Sequence, residues 1–372
     1  MKKIFFIVLI SCLIFFSTDF FLGKTILNFL YESNIAQSPQ KIKLEIEKRE
    51  NNEKSYRIKN DFYHHTLKAN TIAQSIWGNF NYTTCTDKFG FRISCQKSKN
   101  KKNKKKIIII GDSFTEGLGL NYSETFVGMF NKYSEYEIIN LGVTSYSPII
   151  YWNKVKYFLN QGLEADHVIV FIDVSDVDDE ANNYQKCSDS DYVCDRLDKK
   201  TQIIKNHLDK EKKNFFPLFK HMQISTKKLK RKIKPKIYIY RKDFERSYWT
   251  YSDSNEEIKR GVNNSIKYMK NLSNYLDSRN ITLSVAVYPH PGQILHDNEN
   301  SKHVEIWKDF CKQRCKYFIN LFPTFFNNQN NIKKMDIIKK YYIKNDIHFN
   351  KRGNKKIFDH LIELDFGAPG RI

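Results

Sequence analysis

The sequence predicts an α/β protein built on a parallel sheet with helices on both faces. Short apolar runs, several of which end at a glycine or an acidic residue, are typical of buried parallel strands, and amphipathic segments of helical length lie between them. The strand-like runs are IIIIGDS from residue 107, Glu137–Leu141, His167–Asp173, Ile281–Tyr288 and Tyr317–Leu321. The helical segments are Glu124–Tyr133, Ile149–Gln161, Glu256–Asn280 and His303–Cys315. Sites in such sheets lie at the carboxyl ends of the strands.

Length and composition fit a folded chain with a strong basic bias. The 372 residues can bury a substantial core, and 15% aromatic residues exclude wholesale disorder. The net charge is +21, of which two acid-free runs, residues 97–106 and 227–242, supply seven and nine basic residues. Such a field favours anionic partners, namely lipid headgroups, nucleic acid or acidic glycans, and a solvated loop explains it equally well.

The N-terminus predicts export from the cytoplasm. Lys2 and Lys3 precede an apolar run from Ile4 to Phe16 that is interrupted near Asp19. We predict a signal-anchor over residues 1–35, while a cleaved signal peptide and a lipoprotein signal at Cys12 stay open. A polar stalk over 36–60 and a small β-rich lead-in with a basic loop over 61–106 follow. The main domain spans 107–365, with a basic insertion over 181–255.

The remaining cysteines form three close pairs. An even number of cysteines in short-range pairs behind an export signal predicts local disulfides in an oxidising space. Zinc is a weak alternative, because no Cys-x-x-Cys occurs. The predicted pairs are Cys85/Cys95, Cys187/Cys194 and Cys311/Cys315, the last of which would be strained on a helix.

Gly111-Asp112-Ser113 follows the first strand of the sheet directly. A serine at this strand end exposes its hydroxyl to a substrate, and its own N–H can help to bind an oxyanion. The same turn could instead bind phosphate at a helix N-terminus. Near the end of the chain, Asp346 and His348 could supply the base and the carboxylate that orients it.

Three blocks in this order resemble the SGNH (GDSL-type) hydrolase superfamily: GDSFTEG, then Asn140-Leu141-Gly142, then the Asp/His element with FNxxGN after it. The resemblance covers residues 107–180 and 281–360. It implies a three-layer, flavodoxin-like sandwich, with Ser113 as nucleophile, Gly142 as second oxyanion donor and His348 as base.

Two positions depart from the family pattern. In the family, the Asp/His element (block V) usually has the spacing Asp-x-x-His. That spacing would place the aspartate where this chain has Asn345. The shorter Asp-x-His spacing resembles the extracytoplasmic branch that O-acetylates polysaccharides, so we expect Asp346 to orient the base. In block III, Ser175 replaces the asparagine and is our candidate for a third oxyanion donor. Other residues expected to support or line the cleft are Asp112, Asp176, Asn345 and His290.

The sequence therefore predicts a serine esterase or O-acyltransferase that acts on an acyl (acetyl) ester of a cell-envelope glycan through an acyl-enzyme. The alternative is a non-catalytic glycan-binding or assembly protein on the same fold. We expect no cofactor and no metal, and the export signal argues against nucleic acid as a partner. Expected partners are the acylated or acceptor glycan, the membrane through the N-terminal helix, and a membrane-embedded acyl donor protein. The expected location is the periplasmic or extracellular face.

Overall fold

The computed structural model describes residues 2–33, 56–77, 80–96, 104–188, 192–196, 218–219, 222, 246–253, 255–326 and 333–366. The chain divides into two compact units. The smaller comprises residues 1–51 and 197–238, and the larger comprises residues 52–196 and 239–372.

The described part of the smaller unit is mainly one long helix, α1 (Lys2–Glu32). Its segment Lys3–Ile26 has a mean hydropathy of 2.4 and is long and apolar enough to cross a membrane, and a signal sequence near an N-terminus has the same character. Asp19 is buried within this unit, where its carboxylate accepts hydrogen bonds from the backbone N–H groups of Leu218 and Phe219 at 2.7 and 2.8 Å. These two bonds offset part of the cost of an acidic side chain in an apolar helix.

The larger unit begins with two small antiparallel sheets. Strands β1 (Arg57–Asn60) and β2 (His64–Leu67) form a pair. Strands β3 (Ile72–Trp77), β4 (Phe80–Thr86) and β5 (Arg92–Ile93) form the second sheet. Strand β1 lies inside the segment predicted as a stalk, so the folded lead-in begins earlier than the sequence indicated.

The central sheet contains all five strands that the apolar runs predict, and every neighbouring pair is parallel. The five strands are β6 (Lys106–Ile110), β7 (Glu137–Asn140), β8 (His167–Ile172), β11 (Thr282–Val287) and β12 (Tyr317–Asn320). They lie in the order β7-β6-β8-β11-β12 across the sheet. Numbered by their appearance in the chain, this order is 2-1-3-4-5, the flavodoxin-like arrangement. A hairpin, β9 (Tyr184–Lys186) with β10 (Val193–Asp195), lies outside this sheet.

Helices lie between the strands, as the amphipathic segments predict. In chain order they are α2 (Ser113–Glu116), α3 (Phe126–Tyr133), α4 (Pro148–Asn160), α5 (Asp176–Asn182), α6 (Glu256–Asp277), α7 (Pro291–His296), α8 (Lys302–Cys311), α9 (Phe322–Phe326), α10 (Lys334–Tyr341) and α11 (Lys351–Ile362). Two 3₁₀ turns cover Tyr122–Glu124 and Tyr248–Thr250.

The sheet separates two hydrophobic cores. Alternate side chains of β6 point to opposite faces, so Ile108 and Ile110 pack with α4, α6, α8 and the lead-in. Ile107 and Ile109 pack with α3, α10 and α11 on the other face. The predicted α/β class, with a parallel sheet covered on both faces, is confirmed.

The structure joins each predicted cysteine pair: Cys85 to Cys95, Cys187 to Cys194, and Cys311 to Cys315. The second bridge closes the β9–β10 hairpin, at the start of the predicted insertion. The basic run 227–242, most of the run 97–106 and most of the predicted stalk lie outside the described residues.

Candidate active site

The nucleophile candidate lies where strand β6 ends. A side chain at Gly111 would meet the Phe171 carbonyl oxygen at 2.9 Å, so the turn leaves no room for one. Asp112 is the N-cap of α2, and its Oδ1 accepts the Phe114 N–H at 3.0 Å. Ser113 is therefore the first residue of α2, at the carboxyl edge of the sheet.

The Asp/His element lies on a tight loop between α10 and α11. The loop is closed at its base by an antiparallel bridge between Tyr342 and Phe349. Asn350 strengthens this base, because its Nδ2 donates to the carbonyl oxygens of Lys340 and Tyr342 at 2.9 and 3.0 Å. Asn345 takes a left-handed conformation, φ 62°, which asparagine tolerates. Asn345 thus shapes the turn that presents the next residue, Asp346.

The structure brings the three predicted catalytic residues into one hydrogen-bonded series. His348 Nε2 lies 2.8 Å from Ser113 Oγ, and His348 Nδ1 lies 2.5 Å from Asp346 Oδ1. An ionised Asp346 can only accept, so Nδ1 carries the proton and Nε2 accepts from the serine hydroxyl. Burial alone would raise the pKa of Asp346, but the bonds and charge of His348 outweigh it and lower that pKa. The lowered pKa favours the charged carboxylate, which accepts the hydrogen bond from His348 Nδ1.

Asp112 is a second acceptor beside the nucleophile. Its Oδ2 lies 3.1 Å from Ser113 Oγ, and its Oδ1 accepts the Tyr288 hydroxyl at 3.2 Å. Ser113 has one proton, so an ionised Asp112 would compete with His348 for it. Burial, followed by the negative charge of Asp173, raises the pKa of Asp112. With a pKa of about 7, the neutral carboxyl becomes more abundant as the pH falls below that value, and it competes less for the Ser113 proton than the charged form does.

The lead-in contributes a residue that sequence reasoning missed. Trp77 Nε1 donates to Asp346 Oδ2 at 2.9 Å, and its indole ring lies edge-on to His348 with 5.2 Å between the ring centroids. Asp346 therefore has one oxygen on His348 and the other on Trp77. The two residues are 269 positions apart, and no local pattern in the sequence signals this contact.

The oxyanion donors differ from the sequence-based expectation. Among the described residues the Ser113 N–H has no acceptor, and it remains a donor candidate. The Gly142 N–H donates instead to Asn140 Oδ1 at 2.9 Å, in an Asx turn that Asn-x-Gly could have signalled. A side chain at Gly142 would meet Thr115 Cγ2 at 2.6 Å, so packing is a sufficient reason for this glycine.

Ser175 is also committed elsewhere. Its N–H donates to Asp173 Oδ1 at 2.7 Å, and its hydroxyl bonds to the same carboxylate. The N–H groups of both Gly142 and Ser175 thus have an internal acceptor in this structure, and their assignment as oxyanion donors stays a prediction.

His290 and Asp176 are buried, so neither of them lines an open cleft. His290 is 2% exposed, and its Nε2 lies 2.7 Å from Asp173 Oδ2. Burial alone would raise the pKa of Asp173, but the charge and hydrogen bond of His290 lower it. Asp176 Oδ2 accepts the Tyr151 hydroxyl at 2.9 Å, and burial raises the pKa of Asp176. These buried groups support the strand ends from below.

Two arginines of the lead-in hold the nucleophile helix. Arg57 donates to both oxygens of the buried Glu116, at 2.8 and 2.6 Å. Arg92 is 1% exposed and donates to the carbonyl oxygens of Glu116, Gly117 and Leu120. Sequence reasoning placed Arg57 in a stalk and assigned no role to either arginine.

Within the part of the chain that the structure describes, no group of three or more His, Cys, Asp or Glu side chains could hold a metal ion.

Replacing Trp77 by phenylalanine removes the N–H donor to Asp346 and keeps an aromatic ring beside His348. A hydrogen bond to a charged group contributes about 1.5–3 kcal/mol, so we expect kcat for an acyl ester to fall about tenfold, with KM changed less than about twofold. The matched control is Trp152→Phe, whose ring packs on Tyr275 instead. Equal kcat values for Trp77→Phe and wild type would show that the indole N–H does not position Asp346.

No protein-family model and no curated protein sequence matches the chain. Solved structures do. TesA is similar with a TM-score of 0.36 and 8% identity over 69% of this chain and 96% of TesA. A G-D-S-L family lipolytic protein from Veillonella parvula is similar with a TM-score of 0.38 and 12% identity over 71% of this chain and 99% of that one. A catalytic mutant of Axe2, an acetylxylan esterase from Geobacillus stearothermophilus, has a TM-score of 0.36 and 12% identity over 71% and 97% of the two chains.

The described structure itself has three features that the sequence resemblance implied. The strand order is flavodoxin-like, the Gly-Asp-Ser turn follows the central strand β6, and the late Asp/His loop lies against Ser113. The fold of this chain is SGNH hydrolase-like.

Proposed function

We propose that the chain is a serine esterase or O-acyltransferase that forms an acyl-enzyme on Ser113. The observation that carries the proposal is the series of hydrogen bonds from Ser113 Oγ to His348 and from His348 to Asp346. A serine hydroxyl is a weak nucleophile by itself, and an adjacent base held by a carboxylate is the arrangement that activates it.

The reaction follows from these contacts. His348 Nε2 takes the Ser113 proton as Oγ forms a bond to the acyl carbonyl carbon, and Asp346 stabilises the imidazolium. The Ser113 N–H is the donor available to the oxyanion. The ester C–O bond then breaks, and His348 returns the proton to the leaving alcohol. In the second half, His348 deprotonates water or a sugar hydroxyl, whose oxygen attacks the acyl carbon. The bond between Ser113 Oγ and the acyl carbon breaks, His348 returns the proton to Ser113 Oγ, and the free acid or a new ester leaves.

The proposed substrate is an acetyl ester of a cell-envelope glycan, or a glycan hydroxyl that accepts the acetyl group. The Asp-x-His spacing supports this choice through its resemblance to the branch that O-acetylates polysaccharides. That support is one of family resemblance, because fold alone does not fix function.

The proposed location is the extracytoplasmic face of a membrane, with α1 as the anchor. The apolar character of α1 and the three disulfides support it, because disulfides persist in oxidising compartments. An O-acyltransferase in this place needs an acyl donor, and we propose a membrane-embedded donor protein as its partner.

A second candidate is a non-catalytic glycan-binding or assembly protein. The engagement of the Gly142 N–H and of Ser175 favours it, because losing one oxyanion donor typically costs about 10²–10³ in rate. The intact series of Ser113, His348 and Asp346 opposes it.

Labelling with an alkyl fluorophosphonate tests the proposal. We expect the full-length protein, in detergent, to be labelled and the Ser113→Ala variant to remain unlabelled. A second experiment uses untreated wild type and distinguishes hydrolysis from transfer. The enzyme is incubated with p-nitrophenyl acetate, with and without an oligosaccharide, and mass spectrometry measures the free acetate and the acetylated sugar. An unlabelled, folded wild type would give the lead to the binding protein.

A further inference from the structure

A surface pocket with a volume of about 430 Å³ lies beside the loop that carries Asp346 and His348. Ile343 at the start of this loop and Asn350 at its end both line the pocket. The opposite wall comes from Phe80 on β4 and from Gly119, which follows the nucleophile helix. The pocket is therefore built from both sequence blocks that meet in the active site.

Trp77 lies close both to Gly119 in the pocket wall and to His348. A side chain at Gly119 would meet Ile343 Cδ1 at 2.9 Å and Trp77 Cδ1 at 3.5 Å, so Trp77 packs against this wall. The same Trp77 ring contacts His348 and donates to Asp346. Trp77 therefore contacts both the pocket wall and the Asp346/His348 loop, so the pocket lies next to the candidate active site.

The lining is strongly basic. It contains four cationic side chains and one carboxylate, that of Glu124, which gives a net charge of +3. Glu124 is already paired, because Lys351 contacts its Oε1 and the Asn121 N–H donates to its Oε2. The cations are Lys339, Lys340, Lys351 and Arg352.

Two of these cations have no carboxylate partner among the described residues. Lys340 lies over the Tyr341 ring at 5.2 Å, and the Arg352 guanidinium makes no ion pair in the described part of the chain. An arginine fork matches the oxygens of a carboxylate or phosphate, and a concave site strengthens the attraction by focusing the field.

The pocket also has an apolar wall. Phe80 is 44% exposed and lines the same pocket as the four cations. A bare phosphate would gain nothing from this ring, whereas the C–H face of a pyranose can pack against it. Cations beside an exposed ring thus fit a sugar that carries an anionic group.

We propose that this pocket is a subsite for an anionic sugar, a pyranose bearing a carboxylate or a phosphate. The sugar belongs to the glycan whose ester reaches Ser113, so this assignment rests on the proposed function. The anionic unit is bound beside Trp77, and this binding positions the ester-bearing unit of the same glycan at the nucleophile.

Binding measured without turnover tests the subsite. The background is full-length Ser113→Ala in detergent, and the probes are trigalacturonate and its fully methyl-esterified form, which has the same rings without charge. We expect trigalacturonate to bind at low salt and the methyl ester at least about tenfold more weakly, and added salt to weaken the first. The same comparison for a phosphate group uses glucose 6-phosphate and uncharged glucose, and we expect glucose to bind more weakly.

Charge reversal assigns the binding to the pocket. Arg352→Glu and Lys340→Glu should each weaken trigalacturonate binding at least about tenfold, while Arg352→Lys keeps most of it. The matched control is Lys308→Glu on α8, which does not line the pocket and should bind as tightly as the background variant. Circular dichroism checks that each variant is folded.

The proposal is overturned if the methyl ester binds as tightly as trigalacturonate, or if Lys308→Glu loses as much as Arg352→Glu. It is also overturned if inorganic phosphate binds as tightly as glucose 6-phosphate, because no sugar is then recognised. A wild type that resists fluorophosphonate but binds the anionic sugar through Arg352 would remove the hydrolase and keep the subsite. Labelling of Ser113 without sugar binding would do the reverse.

Discussion

Replacing Ser113 by alanine should lower the turnover of an acyl ester by at least about 10³-fold, because the atom that attacks the carbonyl is gone. His348→Ala should cost a similar factor, since Ser113 then has no base at 2.8 Å. Members of a triad act as a unit, so the double variant should lose no more than about the larger single loss. The measurement is kcat/KM on p-nitrophenyl acetate for the full-length protein and its three variants.

The same experiment separates Asp346 from its neighbours. Asp346→Asn leaves the loop intact but removes the charge that fixes the His348 tautomer, and we expect a loss of about 10²–10⁴. Asp309→Asn makes the same chemical change in an exposed pair with Lys312, and it should leave turnover unchanged. If Asp346→Asn retains wild-type turnover, another group orients His348 and the Asp-x-His assignment is wrong. Additive losses in Ser113→Ala/His348→Ala would likewise contradict a shared mechanism.

Local patterns in the sequence were sufficient to predict the central sheet and to select the three residues that form the hydrogen-bonded series. Each of the five strands is an apolar run, and β6 is followed by a glycine where a side chain would meet Phe171. Ser113 and His348 are 235 positions apart, yet each belongs to a short motif that the family pattern relates to the other. Motifs of this kind can be recognised in the sequence without knowledge of how the chain packs.

Contacts between segments could not be predicted in the same way. The carboxylate that Arg57 pairs with is 59 positions away, and nothing near Arg57 distinguishes it from the charged residues before it. The local contact of Gly142 was also not predicted: the Asn140 side chain accepts the N–H that the family pattern assigns to the oxyanion. The resemblance thus selected Gly142 without indicating the acceptor that its N–H has in this structure.

The pair of Arg57 and Glu116 should carry a large share of the stability of the larger unit. Glu116 is fully buried, and its Oε2 also accepts the Thr144 N–H and hydroxyl, each at 2.7 Å. Arg57→Met strands this carboxylate without its cation, and breaking a buried pair in this way costs about 3–5 kcal/mol of unfolding free energy. Urea unfolding followed by tryptophan fluorescence at pH 7 measures the loss. Neutralising the partner as well, in Arg57→Met/Glu116→Gln, should restore most of it.

The free energy of unfolding should change with pH in a direction that distinguishes loss of the ion pair from a general packing defect. Burial would raise the pKa of Glu116, but the charge and hydrogen bonds of Arg57 lower it from 4.5 to about 2. In wild type its contribution to stability is therefore complete above about pH 4.5 and is lost as the pH falls towards 2.

Without Arg57, burial is opposed only by the Thr144 hydrogen bonds and the charge of Arg92, and we expect the folded pKa of Glu116 to rise above 4.5. The contribution then reverses: Arg57→Met should gain stability relative to wild type as the pH falls from 7 to about 4.5. The exposed pair of Lys106 and Glu164 provides the control, since Lys106→Met should unfold as wild type does at both pH values. An Arg57→Met variant that is as stable as wild type at pH 7 would mean that the lead-in does not hold the nucleophile helix. A deficit that is the same at pH 7 and pH 4.5 would assign the loss to packing rather than to the stranded carboxylate.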